Sequence, residues 1–545
     1  MTRENWDCLL YFFKGAIASE KWVEGLMQVA RERRPPPKLP GGELNGVSVA
    51  VFDNLTIKCN YGSYFREDAG GIKLDMTTWF WTPIPRSLAT PGFDAPSLWR
   101  SGPCGGLFRS DISLTAFCRK FLYSNPEVIN NKRNRWRVFL LAAANGTLLS
   151  RPNYVAPWRP HKYYQKPIWG RLQSSYEDMR EEVKTIRDNR SGQWYVFLVG
   201  DGLTLMRLNH LLKASPDVYL DSTPTCIPVQ GEHPHGLFHA LHCCLRLYSP
   251  FLRKLAKDVL ENPSIKMEPN VSEFNVHRFF FLNMVTRAAS EYLVELSRTP
   301  GADDLDDPIF ILAKADANIN LSWLTHFLYD AGFFILDFLQ SVRGNESRNI
   351  DLLWRELFSY AHTDTAHKTQ YVPMAIMRVF WGMALVSELD ELYHNIRTVP
   401  TGGGVPGTNV GWDMAIEWLN WAIKQHVLYN ITENQIDQFL ENWPFMETVR
   451  NGLRDIIYKM RAKVHLHERN VDKDVERLKE FFRTKIGPDW ATATAAKSVP
   501  SILKGGTRRP WVEVQAMMGR SGDAAPHVYI RNYVRDLTPF FSWQP

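Results

Sequence analysis

The sequence predicts an α/β layer joined to a large all-α part, and three observations carry the prediction. Between residues 46 and 250, β-rich and helical runs follow the order strand, strand, insertion, helix, strand, helix, strand, helix, as in a layered α/β unit. From 250 to 480, nearly every periodic segment repeats its apolar residues at helical spacing, as in FNVHRFFFLNMVTRAASEYLVELSR and YVPMAIMRVFWGMALVSELDELYHNI. No apolar window approaches the roughly 18 residues of a membrane span. The nearest, FLYDAGFFILDFL at 327–339, is interrupted by Asp330 and Asp337 and reads as a buried helix.

Each element has its own justification. Residues 1–45 read as an N-terminal helix, with Trp6, Leu9, Leu10, Phe13 and Ile17 at helical spacing, closed by the proline-rich linker RERRPPPKLPGG. GVSVAVFDNLTIKCNYG, from Gly46, is a β-rich run with Asp53 at its apolar end, and LDMTTWFW at 74–81 is a second that can pair with it as a hairpin. Residues 82–135, rich in Pro, Gly and Ser, read as a loop-rich insertion inside the 46–250 α/β core. Order returns with RWRVFLLAA (135–143) and the charged helix SSYEDMREEVKTIRDNR. QWYVFLVGDGLT then runs strand-like into Gly200 and Asp201, followed by the helical LTLMRLNHLLK. TCIPVQG is a further strand, leading into a helix from about His235. After the helical block at 251–397, residues 398–430 read as a glycine-rich loop and a helix returning to the core, the amphipathic WDMAIEWLNWAIKQHVL. Residues 431–487 are C-terminal helices, and 488–545 an Ala-, Ser-, Gly- and Arg-rich, loosely ordered tail.

Composition narrows the class. With 45% hydrophobic and 22% charged residues the chain is globular, and at 545 residues it exceeds any single small module. A net charge of +6 permits a polyanionic partner without arguing for one. The seven cysteines are scattered and never spaced C-x-x-C, which points away from a disulfide framework or ribbon-type zinc site and towards a reducing compartment. The N-terminal apolar stretch lacks a preceding basic region, so the expectation is an intracellular protein, nuclear or cytoplasmic, neither secreted nor membrane-spanning.

Four constellations bear chemistry. Asp53 and Asp201 each follow an apolar run that reads as a buried strand, and side chains at strand C-termini face the crevice where α/β proteins bind ligands. Two such aspartates can hold Mg²⁺ or Mn²⁺ through oxygen; equally, Asp-Asn and Asp-Gly are ordinary turn and cap pairs. Asp413, Glu417, Asn420 and Lys424 share one stripe of one helix, able to deliver a carboxylate into a site or simply to face water. His235, His239 and His242 fall on one face of a helix, a plausible Zn²⁺ spacing without the H-E-x-x-H glutamate; a half-buried, hydrogen-bonded set is the alternative. Basic patches NKRNRWR (131–137), RERRPPPK (31–38) and KGGTRRPW (504–511) can meet phosphates and stack on bases, or lie as solvated loops.

In order, VFDNLTIKCNYGS, WYVFLVGDGLT, GEHPHGLFHALHCC and GGGVPGTNVGWDMAIEWLNWAIK resemble the domain-of-unknown-function family 6589, found in transposon-associated proteins. The resemblance covers roughly residues 46–430. The same block order is similar to that of transposases with a ribonuclease-H-like core. In those, one Asp ends the first strand, another ends the fourth, and the last acid sits on a helix after the fifth, with a large helical insertion ahead of it in some members. The resemblance therefore implies a ribonuclease-H-like core interrupted by a helical insertion at 251–397. It also implies Mg²⁺- or Mn²⁺-dependent hydrolysis or strand transfer at DNA phosphodiesters, degenerate in a decayed copy. Asp53, Asp201 and Glu417 would be the catalytic metal ligands, with Asp413 or Glu232 as rivals for the third place. Arg133, Arg135, Trp136, Arg137 and Lys424 would contact nucleic acid. A non-catalytic nucleic-acid- or protein-binding descendant is the alternative, and a Zn²⁺ site at His235, His239 and His242 a third.

Overall fold

Two long runs of β-branched and aromatic residues found the sheet. The computed structural model describes residues 41–59, 72–101, 126–158, 160–170, 175–231, 233–265, 267, 273–298, 318–363, 372–401, 406–426, 433–434, 436–441, 443–444, 447 and 471–486. Strands β1 (Glu43–Cys59) and β2 (Ile72–Pro85) form the expected hairpin, antiparallel, with Val51 opposite Phe80 and Asp53 opposite Thr78. β1 does not stop at Asp53: its partner β2 continues alongside, and Leu55 and Ile57 stay buried, so the strand carries on to Cys59. Short β3 (Tyr163–Tyr164) and β4 (Ile168–Trp169) add to β2 antiparallel.

On the other side of β1 lie β5 (Tyr195–Val199) and β6 (Thr225–Pro228), each parallel to its neighbour. The result is one mixed six-stranded sheet in the order β3-β2-β1-β5-β6, with β4 also on β2. Every residue of β5 and β6 is buried, as expected for parallel strands covered on both faces.

Most of the remaining described chain is helical. Counting helices of nine residues or more, these are α1 (Pro126–Ala144), α2 (Tyr176–Asn189), α3 (Gly202–Ala214), α4 (His233–Leu247), α5 (Arg287–Ser297) and α6 (Ile319–Phe327). They continue with α7 (Phe333–Gly344), α8 (Ser347–Thr363), α9 (Val372–Ala384), α10 (Ser387–Asn395), α11 (Trp412–His426) and α12 (Val471–Ile486). None is long and apolar enough to cross a membrane. The glycine-rich stretch at 398–411 is more ordered than expected at its ends, where β7 (Thr398–Pro400) and β8 (Asn409–Gly411) pair antiparallel.

The loop-rich reading of 82–135 is corrected at both margins: β2 runs to Pro85, and α1 begins at Pro126. α1 packs on α5, α7 and α8 rather than on the sheet. The N-terminal helix, the tail at 488–545 and the patches at 31–38 and 504–511 fall outside the described residues, as does Glu232.

Candidate acid site at the sheet edge

The parallel ladder of β1 and β5 ends at Val51 opposite Val199. Two residues further on each strand stand Asp53 and Asp201, so this register brings the two predicted aspartates to the same end of neighbouring strands. Asp201 is also the N-cap of α3, where its Oδ1 accepts from the Thr204 amide at 2.7 Å. The cap role and the site position coexist, because a carboxylate has two oxygens.

α11, which follows the helical block and the β7–β8 hairpin, returns to pack against β1 and β2. Its apolar residues Trp412, Ala415, Ile416, Leu419, Ala422 and Ile423 are buried, and its polar stripe runs along the end of the sheet. Gly231, just after β6, allows the approach: a Cβ there would lie 2.7 Å from Val199 Cγ1 and 3.1 Å from Trp412 Cβ.

The stripe reaches Asp53 through one residue and His235 through two. Asn420 donates from Nδ2 to Asp53 Oδ2 at 2.8 Å and accepts at Oδ1 from the Thr78 hydroxyl at 2.5 Å. Asp413 is buried, its Oδ1 accepting from the Met414 amide and its Oδ2 lying 3.2 Å from His235 Nδ1. Glu417 Oε1 lies 3.3 Å from His235 Nε2.

Electrostatics show that these acids share one environment. Burial, then the charges of Asp201 and Glu417, push the Asp53 carboxyl up to about 7, against the pull of its bonds from Asn54 and Asn420. Asp413 is raised by burial and by Asp201, while His235 pulls it down. Glu417 is raised by burial, Asp413 and Asp201, with His235 and Lys424 opposing. The charge of Asp201 thus reaches Asp53, Asp413 and Glu417, and that of Glu417 reaches Asp53.

The donors are hard oxygens carrying surplus negative charge, the chemistry that suits Mg²⁺ or Mn²⁺; Asp53, Asp201 and Glu417 would be the residues to hold it. Among the described residues, no three His, Cys, Asp or Glu side chains are already gathered as a metal-holding group. Each acid instead engages an internal partner: Asn420 and the Asn54 amide on Asp53, the α3 cap on Asp201, and His235 on Glu417 and Asp413.

Two expectations are corrected. His235 leaves the predicted histidine set, because both its ring nitrogens face carboxylates of α11, while His239 and His242 pack around Phe238. The three histidines are thus divided between two sets of partners, α11 for one and Phe238 for the other two. The 131–137 patch is likewise not an open nucleic-acid surface. Arg135 is buried and makes two bonds to Glu356 at 2.9 and 2.7 Å, and Trp136 is wholly buried, edge-on to Phe333 at 5.6 Å. Arg133 is half-buried; Arg137 and Lys424 are exposed.

Thr78 and the partnership of His235 with α11 were not read from the sequence. A threonine pair, Thr77 and Thr78, ahead of the aromatic run in LDMTTWFW is the signal for the first; for the second there is none, since the partners lie 178 positions apart. Compared with family models, curated proteins and solved structures, the chain matches none.

Proposed function

We propose that the end of the sheet bearing Asp53, Asp201 and Glu417 is a site for divalent-metal-dependent phosphodiester chemistry on DNA, in a protein of the transposase type with a ribonuclease-H-like core. The observation that carries the reading is the convergence of three acids from β1, the β5–α3 junction and α11. Burial, and after it the charges of Asp201 and Glu417, raise Asp53 to about 7, and a cation would relieve the charge part of that cost. The strand order supports it as well: an antiparallel hairpin extended by two parallel strands on the side of β1, with the last acid on a helix that follows the helical block.

When bound, Mg²⁺ or Mn²⁺ would polarise the phosphodiester and lower the pKa of attacking water. The chain's own residues do the rest. Asp53 presents an oxygen donor from within β1 and Asp201 one from the β5–α3 junction, Glu417 brings a third from a helix packed on the sheet, and exposed Lys424, two turns beyond Glu417 on α11, offers a charge to the DNA backbone.

The test is nicking or strand transfer on labelled duplex DNA with Mn²⁺. Asp53→Asn and Asp201→Asn should each abolish product while leaving salt-dependent DNA binding intact. Undiminished cleavage in either variant overturns the assignment. One observation favours a second reading, a non-catalytic descendant: both ring nitrogens of His235 already face Asp413 and Glu417, at 3.2 and 3.3 Å. It predicts DNA binding with no dependence on divalent metal.

A further inference from the structure

We propose that Asn420, itself aimed by Thr78, is the positioning residue that orients the Asp53 carboxylate towards the cation site. The inference rests on the reading above and assigns a role to two side chains that do not themselves bind metal.

The geometry is a two-link chain of hydrogen bonds in a buried setting. The Thr78 hydroxyl sits on β2 directly opposite Asp53 and donates to Asn420 Oδ1 at 2.5 Å. With its oxygen occupied by that donor, the Asn420 amide has its nitrogen turned to Asp53 Oδ2 at 2.8 Å, with a longer contact to the Asn54 carbonyl at 3.4 Å. A flipped amide would set Oδ1 against the carboxylate and Nδ2 against the hydroxyl, losing both bonds as drawn. Asp53 Oδ1 meanwhile accepts from the Asn54 amide at 2.8 Å. One bond to each oxygen fixes the carboxylate plane while leaving the remaining lone pairs of both oxygens available.

The same link fixes a second distance. Asn420 lies three residues beyond Glu417 on α11, so the bond that orients Asp53 also sets how far along the sheet the helix delivers Glu417. Thr78 and Asn420 are 0% and 5% exposed, so water does not substitute for either partner. Partners that orient metal ligands typically change metal affinity by about 10- to 100-fold when removed.

The experiment follows thermal unfolding of the full chain in metal-free buffer while Mn²⁺ is added, reading both the metal-free midpoint and the Mn²⁺ concentration for half-maximal stabilisation. Wild-type protein should be stabilised by Mn²⁺, and Asp53→Asn should lose that response. Asn420→Ala and Thr78→Val should each raise the half-saturating Mn²⁺ by about tenfold or more. The double variant should be no worse than Asn420→Ala alone, because both act through one bond. Thr78→Ser, which keeps the hydroxyl, should restore the wild-type value, and it keeps the test alive if Asn420→Ala does not fold.

A purely structural role predicts lower metal-free midpoints with unchanged half-saturation, and that result overturns the positioning role while the site reading stands. A wild-type midpoint indifferent to Mn²⁺, matching Asp53→Asn, overturns the site reading and the positioning role with it.

Discussion

At the scale of single residues, Asp53 concentrates the conflict in this molecule. It lies on a strand whose neighbours are apolar, and it faces two further carboxylates, so its folded-state pKa of about 7 stands well above the ordinary 3.8. The unfolded chain releases this proton near 3.8, whereas the folded chain keeps it until about 7. Stability is therefore lost as pH rises through that interval and is flat above it. Asp53→Asn removes the titration while keeping one acceptor oxygen. In metal-free buffer it should leave stability nearly unchanged at pH 4 and raise it by about 1–3 kcal/mol at pH 8, read as urea midpoints at the two pH values. A stabilisation equal at both pH values would mean that neither burial nor the neighbouring charges raise Asp53. Both aspartates were legible because each closes a run of apolar residues, VAVF and VFLV, whose only economical home is a buried strand. Arg135 and Trp136 misled for the opposite reason: a basic-aromatic patch looks the same in sequence whether its charges face phosphate or a buried carboxylate.

At the scale of elements, the helix α1 shows what those charges do. Lys132 and Arg135 enter a buried network with Asp330, Asp337 and Glu356 of the helical block, Lys132 lying 2.5 Å from Asp330 and Arg135 2.7 Å from Glu356. Burial alone would suppress both cations, yet the acids around them hold both pKa values above their ordinary range. Glu356→Gln leaves Arg135 under-compensated, with only Asp337 at 3.5 Å, and should cost about 3–5 kcal/mol in chemical denaturation. If the patch instead served DNA, losing this acid would cost little stability and would maintain or strengthen binding. α11 offers the second element-scale prediction. Its first turn packs Trp412 against Gly231, so Gly231→Ala forces a shift of Val199 or of the helix start and should cost about 1–3 kcal/mol by overpacking. Because the same movement displaces Asp413 from His235, it should also lower any Mn²⁺ response, read in the same melts. That α11 is amphipathic was evident from its spacing; its return to the core was implied only by the resemblance, since 367 positions separate Asn420 from Asp53 and no local pattern encodes such a contact.

At the scale of the whole molecule, the sequence divides the chain into an α/β core at 46–250 and a helical insertion at 251–397, whereas the described residues share one continuous hydrophobic cluster from Leu44 to Ile486. Elements on either side of that boundary exchange partners within this cluster. α1, from the nominal core, buries Trp136 and Phe139 against Phe333 of α7. α4 packs on α7 and α8, and α9, from the nominal insertion, packs on α3 beside the sheet. Arg397 bonds Gln230 of the loop after β6 at 2.6 Å and pairs with Asp351 of α8, tying that loop to the helical block. Such contacts are set by long-range complementarity, which periodicity does not register; only the helical character of 251–397 was legible. They carry a clear expectation for surgery on the chain. Replacing 251–397 by a short flexible linker would bare the buried faces of α1, α3 and α4, each large side chain losing about 1.5–3 kcal/mol of burial. The shortened protein should therefore lack protected amides in β5 and β6 by hydrogen exchange, and in the intact chain tryptophan fluorescence and far-ultraviolet circular dichroism should lose signal at one denaturant concentration. A shortened chain that keeps slow exchange in β5 would show instead that the sheet folds alone. The acid site would then depend on the helical block only for returning α11 to the sheet, and adding α11 as a separate peptide should restore the Mn²⁺ response.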